Sequence, residues 1–437
     1  MKKGLLLLVL CLSFAFSFFV VAHENDLDVV DNTSIVLDIH KMTTEELEFY
    51  EKSIAQYDAV IFYDKLISSF IDLYGEKDGQ PARYPENYAG AYVNDDGKLV
   101  IQISSTDDQN IINAQVLHDY SVGVDLNKIK EKDTQFKAES IEDVVVFEQV
   151  AHSLNDLNGM LIDSVNSVNK LISVAGYYVD TLNNSVNIIL EQDAYEIAVN
   201  TIDIYKDIKS DYSKEVPLVF ETGEINEPSY HHLGGQGYYY HGSGGGTTLG
   251  FTGWYNGTRA YLTCGHTSAF NTGDTARYSN TAIGNVSAKQ WAHNGNGDWG
   301  IVNLNSGETI SGLIKQNHSG TVVGKIKGRV NSVPVNTIVY RFGHKTQVWS
   351  TLRVNAVNVS KAWKDTPSDS NYTIRGLVRC TLQIGSASQP GDSGGPFVIA
   401  NGNDYSAIGT TTGESGGYTY YSPMSHVPTN FAVEIGY

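Results

Sequence analysis

Cysteine is scarce: three in 437 residues, with Cys11 in an apolar leader, so Cys264 and Cys380 are the two that follow it. Two are far too few for a disulfide-built scaffold, and stability must come from a real core. Behind the leader no run is apolar enough to cross a membrane. Basic residues are few as well, 30 Lys and Arg against 49 Asp and Glu. They form no cluster interleaved with aromatics, which excludes a nucleic-acid surface of the usual kind. His231, His232 and His241 have no cysteine or carboxylate partners nearby, so no metal site is expected. No cofactor is called for.

What is present starts with an export pattern. Lys2 and Lys3, an apolar run from Leu5 to Val21 and the small-residue close at Val20-Val21-Ala22 give residues 1–22 the form of a secretory signal. The acidic segment behind it fits cleavage better than anchorage. A secreted, extracellular product without membrane attachment is expected. At this length two or three domains are expected.

Charge divides the remainder. Residues 23–230 hold 40 Asp/Glu against 14 Lys/Arg, whereas 231–437 hold 9 against 14. An acidic half followed by a mildly basic one implies two units that attract each other.

In the acidic half, apolar positions from Leu47 through Phe70 follow a Thr43/Thr44 cap and Glu45-Glu46, predicting one amphipathic helix over 43–75. An Asp-Gly turn between β-prone runs makes 90–103 a hairpin. Much the same pattern returns over 176–190. A strand over 144–150 and a helix over 152–170 precede that repeat; a helix over 194–208 and a strand over 216–220 follow it. Residues 23–225 therefore read as an α+β unit with a duplicated helix/hairpin. His118 and His152 read as ordinary surface or helix residues. Residues 226–246, rich in Gly, Tyr and His, read as a flexible, protease-accessible linker.

From Thr247 onward short β runs alternate with turns, which predicts an all-β barrel or pair of barrels. Three stretches there carry chemistry. Ala260 to His266 is a strand ending in a histidine beside a glycine, and Asp298 stands at the entrance of a strand. Gly391-Asp392-Ser393-Gly394-Gly395 offers a serine in a glycine-rich turn. That turn also satisfies the G-x-S-x-G elbow of another fold, which needs a helix after the serine and its acid and histidine downstream. Pro396-Phe397-Val398-Ile399 continues as a strand, and the only later histidine is His426. The order His266, Asp298, Ser393 instead fits a double-barrel serine protease.

On these stretches, and on Ala407-Ile408-Gly409 before Gly413, residues 247–437 resemble chymotrypsin-fold serine proteases of the secreted bacterial streptogrisin and α-lytic group. The acidic half resembles that group's pro-region, chiefly over 176–190 and the helix before it. The resemblance implies a serine-type endopeptidase built as two six-stranded antiparallel β-barrels. His266 would be the general base, Asp298 its orienting carboxylate and Ser393 the nucleophile. The backbone N–H groups of Gly391 and Ser393 would form the oxyanion hole, and Arg341 would hold Asp392 in an ion pair. Ser388, Gln389, Thr412, Gly413 and Glu414 would wall the substrate pocket.

Protein or peptide substrates follow, with a monomer and the chain's own pro-region as folding chaperone and inhibitor. Cleavage is expected between about Glu224 and Gly237. A folding template has a physical basis: 33 of the 42 glycines lie in residues 231–437, and each raises the entropy that folding must overcome. Barrels dominated by non-local contacts also fold slowly.

The sequence departs from the group at three places. The group's cysteine after the histidine is Thr267, with its partner at or near Thr247, and a second family bridge is also missing. Whether Cys264 and Cys380 bridge instead stays open, because sequence does not place their Cβ atoms. Glu414 stands where the group keeps a glycine, leaving the primary specificity between an apolar side chain and, with Glu414 inward, a basic one. A secreted esterase with the same triad, or a non-catalytic binding protein on this fold, are the other classes weighed.

Overall fold

The computed structural model describes residues 42–104, 124–168, 172, 174–200, 218–222, 237–240, 246–266, 271–278, 281–308, 310–315, 322–363 and 372–436. The leader over 1–22, His118, Thr267 and the cleavage window over 224–236 lie outside them. Among the described residues no helix is long and apolar enough to cross a membrane.

Two helices replace the single one predicted over 43–75: α1, Thr44–Ala55, and α2, Tyr57–Tyr74. Thr43 Oγ1 accepts from Glu46 N at 3.2 Å and Glu46 Oε2 accepts from Thr43 N at 2.7 Å, a reciprocal cap that starts α1. The break falls at buried Gln56 for a tertiary reason. Its amide donates to Ile338 O at 2.7 Å and accepts from Ile338 N at 2.9 Å, completing a strand of the other half.

The acidic half contains the same small motif twice. Strands β1 (Tyr88–Val93) and β2 (Leu99–Ser104) form an antiparallel hairpin, and β3 (Val145–Val150) runs parallel to β2. After helix α3 (Leu154–Val168), β4 (Val174–Asp180) and β5 (Ser185–Leu190) form the second hairpin. Helix α4 (Gln192–Asn200) follows, and β6 (Leu218–Thr222) runs parallel to β5. His152 precedes α3 and is 5 % exposed, so it is not a surface residue. Asn184 fixes its backbone from both sides, at 2.9 Å each.

The second half begins earlier than expected. Gly237–Tyr240 (β7), read from sequence as flexible linker, is a strand that pairs with Gly246–Thr248 (β8). Its tyrosine run favours extended chain. One sheet then comprises β8, β7, Thr275–Tyr278 (β11), Thr281–Gln290 (β12), Trp299–Leu304 (β13), Thr258–Thr263 (β10), Phe251–Tyr255 (β9) and Phe431–Val433 (β20), in that spatial order. Its pairing does not close on itself among the described residues, unlike the six-stranded barrel expected.

In the other sheet six strands pair in a closed ring: Ile338–Phe342 (β14), Trp349–Trp363 (β15), Tyr372–Ile384 (β16), Tyr418–Pro423 (β19), Asp404–Ser415 (β18) and Pro396–Asn401 (β17).

Three strands of the acidic half extend this ring. β4 pairs with β15 through Gly176↔Lys361 and Tyr177↔Ser360, with β5 and β6 beyond it. Glycine is required at 176, since a Cβ there would meet Ser360 O at 2.9 Å. A single apolar core also crosses between the halves, joining Leu66, Phe70 and Leu157 to Val339, Leu352 and Phe397. Asp64, 3 % exposed, accepts from Asn331 N at 2.8 Å and Ser332 N at 3.0 Å. Apolar burial and specific polar contacts thus add to the overall charge attraction.

Candidate active site

Strand register brings a histidine and an aspartate together. β10 and β13 are antiparallel, with Thr263 opposite Gly300, so the residues after Thr263 meet those before Gly300. His266 Nδ1 lies 2.6 Å from Asp298 Oδ2, with both side chains at or below 1 % exposure. Asp298 Oδ1 accepts from Gly265 N at 2.7 Å and His266 N at 3.1 Å, and Asp298 N donates to Ser422 Oγ at 3.0 Å. The carboxylate therefore places the ring proton on Nδ1 and makes Nε2 the basic nitrogen. Gly265 allows this approach: a Cβ there would sit 2.4 Å from Gln290 O.

Burial works to lower the imidazole pKa. The Asp298 carboxylate outweighs it, with help from a hydrogen bond to Cys264, and holds the pKa well above the usual histidine range. The Trp291 ring, centred 5.3 Å away, packs against the imidazole.

The serine comes from the loop between β16 and β17. Gly391 and Gly394 adopt φ of +102° and +83°, the left-handed conformations that glycine accommodates. At Gly394 a Cβ would lie 2.0 Å from Thr263 Oγ1, so loop and histidine strand pack without room for a side chain. Two threonines secure the contact. Thr248 N and Thr247 Oγ1 donate to Ser393 O at 2.8 and 2.7 Å, and Thr248 Oγ1 donates to Gly391 O at 2.7 Å. Thr247 Oγ1 also lies 3.1 Å from Cys264 Sγ.

Ser393 is 1 % exposed, and its hydroxyl donates to Thr412 O at 3.2 Å. Among the described residues, neither Gly391 N nor Ser393 N donates a hydrogen bond. Both remain available to an oxygen placed in the turn.

Asp392 is tied down completely. Its Oδ2 accepts from Arg341 Nη1 at 3.0 Å and Gln389 N at 2.9 Å; its Oδ1 accepts from Lys345 N at 2.8 Å and Thr346 N at 3.0 Å. Arg341 and Asp392 side chains are both 0 % exposed.

The pocket residues of the sequence reading fall on two segments. Ser388 and exposed Gln389 precede the serine, while Thr412, Gly413 and half-buried Glu414 lie on β18. Cys264 and Cys380 do not bridge; both are free, buried thiols. Cys264 ends the histidine strand, whereas Cys380 sits in the apolar core on β16, where burial pushes its thiol pKa far up. Sequence reading missed the Thr247 and Thr248 contacts, Trp291 and Ser422. None carries a local signal, since each acts across the fold.

Residues 46–150 match a family model described as a Pro-like N-terminal domain. None of the curated proteins matches the chain. Among solved structures the chain is similar to Thermobifida fusca protease A at 23 % identity, covering 47 % of this chain and 98 % of that one, with a TM-score of 0.37. Cellulomonas bogoriensis chymotrypsin is 27 % identical over 46 % of this chain and 97 % of its own, with a TM-score of 0.35. Nocardiopsis protease is 24 % identical over 47 % and 98 %, with a TM-score of 0.37. The two large sheets make up a β core that follows an α+β N-terminal region.

Proposed function

We propose that this chain is a secreted serine endopeptidase made as a pro-enzyme, with a signal over 1–22, a pro-region over 23–225 and a protease domain over 247–437 that strand β7 (Gly237–Tyr240) extends, and no cofactor. The observation that carries the reading is the buried 2.6 Å contact between His266 and Asp298, packed against the Ser393 loop. For reaction the Ser393 hydroxyl must leave Thr412 O and reach His266 Nε2. The imidazole accepts its proton as Oγ adds to the scissile carbonyl, and the N–H groups of Gly391 and Ser393 receive the oxyanion. Collapse of the tetrahedral adduct breaks the C–N bond, and the imidazolium gives its proton to the leaving amine. Water, deprotonated by the same imidazole, then releases the acyl group. A serine-directed fluorophosphonate is expected to label Ser393; labelling at another residue overturns the assignment. Casein cleavage separates a peptidase from an esterase, which cleaves small esters alone.

Hydrolysis needs neutral imidazole, so activity is expected to rise with pH through a value above the usual 6.5. Stability runs oppositely: the raised pKa favours the fold below about 6.5, and that contribution disappears as pH climbs through the folded value. Asp298→Asn is expected to lower kcat by about 10⁴ through the wrong tautomer. An unchanged pH–rate profile in this variant contradicts the role given to Asp298.

The acidic half is the proposed intramolecular chaperone and inhibitor, removed by cleavage within 224–237. Its polar hold centres on Arg379 of β16. Arg379 Nη1 donates to Glu221 Oε2 at 2.9 Å and Nη2 to Tyr178 OH at 2.6 Å, while Asn187 Nδ2 donates to Glu221 Oε1 at 2.8 Å. Burial raises the Glu221 pKa, but the Arg379 charge and the hydrogen bonds from Tyr178, Arg379 and Asn187 together outweigh it and hold it low. A lowered carboxylate stabilises the contact above its unfolded value of about 4.3 and stops doing so as pH falls through the folded one. In a chain nicked in its linker, acid is expected to release the acidic half in size-exclusion chromatography. Glu221→Gln is expected to weaken retention at neutral pH and flatten this dependence; equal retention at pH 4 and 7 refutes it.

A further inference from the structure

Beside the Ser393 loop two charged side chains have hydrogen-bonding capacity left over. Among the described residues Glu414 Oε2 is buried without a hydrogen-bond partner, and so is Arg341 Nε. Glu414 lies on β18 two residues beyond Thr412, whose carbonyl receives the Ser393 hydroxyl. The loop is pinned to that strand by Gly394 N donating to Thr411 O at 2.7 Å and Thr411 N donating to Gly395 O at 2.8 Å. Gly413 rests on the fully buried Trp363, whose ring atoms would lie 3.5 Å from a Cβ there, so this wall is firm.

Burial raises the Glu414 pKa while the Arg341 charge opposes it. Arg341 sits beneath the loop that carries Ser388 and Gln389, with Nη2 on Ser386 O at 2.8 Å. Glu414 thus feels the Arg341 charge, yet among the described residues the two form no ion pair.

The charges around Arg341 do not balance. Arg341 is neutralised by Asp392 at 3.0 Å, and Asp392 receives four donors in all. Glu414 is the second carboxylate beside a single guanidinium, and its buried oxygen receives no donor from the described residues. A buried carboxylate oxygen calls for a donor, and a cation supplies the charge as well.

We propose that Glu414 is the specificity-determining residue for the side chain preceding the scissile bond, and that it selects lysine and arginine. The proposal rests on the reading of Ser393 as the nucleophile. The cationic group enters between β18 and the loop around Ser388 and Gln389, and completes Glu414 Oε2.

The test uses the full-length chain after processing, profiled on peptides that vary only at the residue before the cleaved bond. Lysine and arginine are expected to exceed leucine, phenylalanine and glutamine at least tenfold in kcat/KM, and Glu414→Gln to erase that ratio. The preference is also expected to weaken in acid, as the carboxyl is protonated. Benzamidine, a cationic probe, is expected to inhibit the unsubstituted enzyme competitively, which decides the matter should Glu414→Gln not fold. Cleavage without a cationic preference, a ratio unchanged in Glu414→Gln, or benzamidine without effect at millimolar concentration overturns the proposal and leaves the peptidase reading standing. No cleavage of any peptide, with no label on Ser393, overturns both.

Discussion

Ser393→Ala is expected to remain one uncleaved polypeptide with its peptidase activity lowered by about 10⁶, the scale found when a triad serine is removed. The structural cost is small. The hydroxyl makes one hydrogen bond, 3.2 Å to Thr412 O, worth about 1 kcal/mol. Alanine keeps the Cβ and leaves the carbonyl of residue 393 on Thr247 and Thr248. Thermal unfolding of the variant is therefore expected to match that of an uncleaved parent chain, which separates lost chemistry from lost structure. Added parent enzyme is expected to cut the variant in its linker. Self-cleavage of Ser393→Ala at the parental rate removes Ser393 from the mechanism.

Arg341→Ala is expected to cost about 3–5 kcal/mol of stability, because it leaves a buried carboxylate without its counter-charge. Asp392 would keep the Lys345, Thr346 and Gln389 amides but lose its cationic partner. The turn holding the Gly391 and Ser393 amides hangs on that carboxylate, so peptidase activity is expected to fall as well. Arg341→Lys restores charge without the second donor to Ser386 O, and an intermediate stability is expected. The pair Arg341→Met with Asp392→Asn is expected to recover much of the loss, since neutral replacement of both partners avoids the stranded charge. Urea midpoints in the Ser393→Ala background measure each effect. A midpoint left unchanged by Arg341→Ala contradicts the account.

His266, Asp298 and Ser393 could be singled out in the sequence because each lies in a short stretch whose glycines serve local needs. Gly265 admits the Gln290 carbonyl, and Gly391 and Gly394 take left-handed turns. The duplicated hairpins were legible through alternation and an Asp-Gly turn, which are also local. What escaped was set by partners distant in sequence. Gln56 interrupts its helix to satisfy Ile338, and Gly237–Tyr240 becomes a strand because Thr275–Tyr278 offers an edge. Cys264 and Cys380 looked available to each other only because nothing local shows that one follows the histidine strand while the other lies in an apolar core on β16. The unpartnered Glu414 Oε2 belongs to the same class, since only the packing of distant segments buries it.

The pairing of β4 with β15 has a consequence for the molecule after processing. While the acidic half is in place, Lys361 is 1 % exposed and its Nζ lies 5.6 Å from the Trp363 ring centre. In the proposed processing, departure of β4 would uncover this stretch of strand and turn an interior lysine into a border lysine. Charged border residues are what sheets use to discourage unwanted neighbours. One side chain would then serve twice in succession, as filler beneath the acidic half and as a charged border that discourages self-association among released molecules.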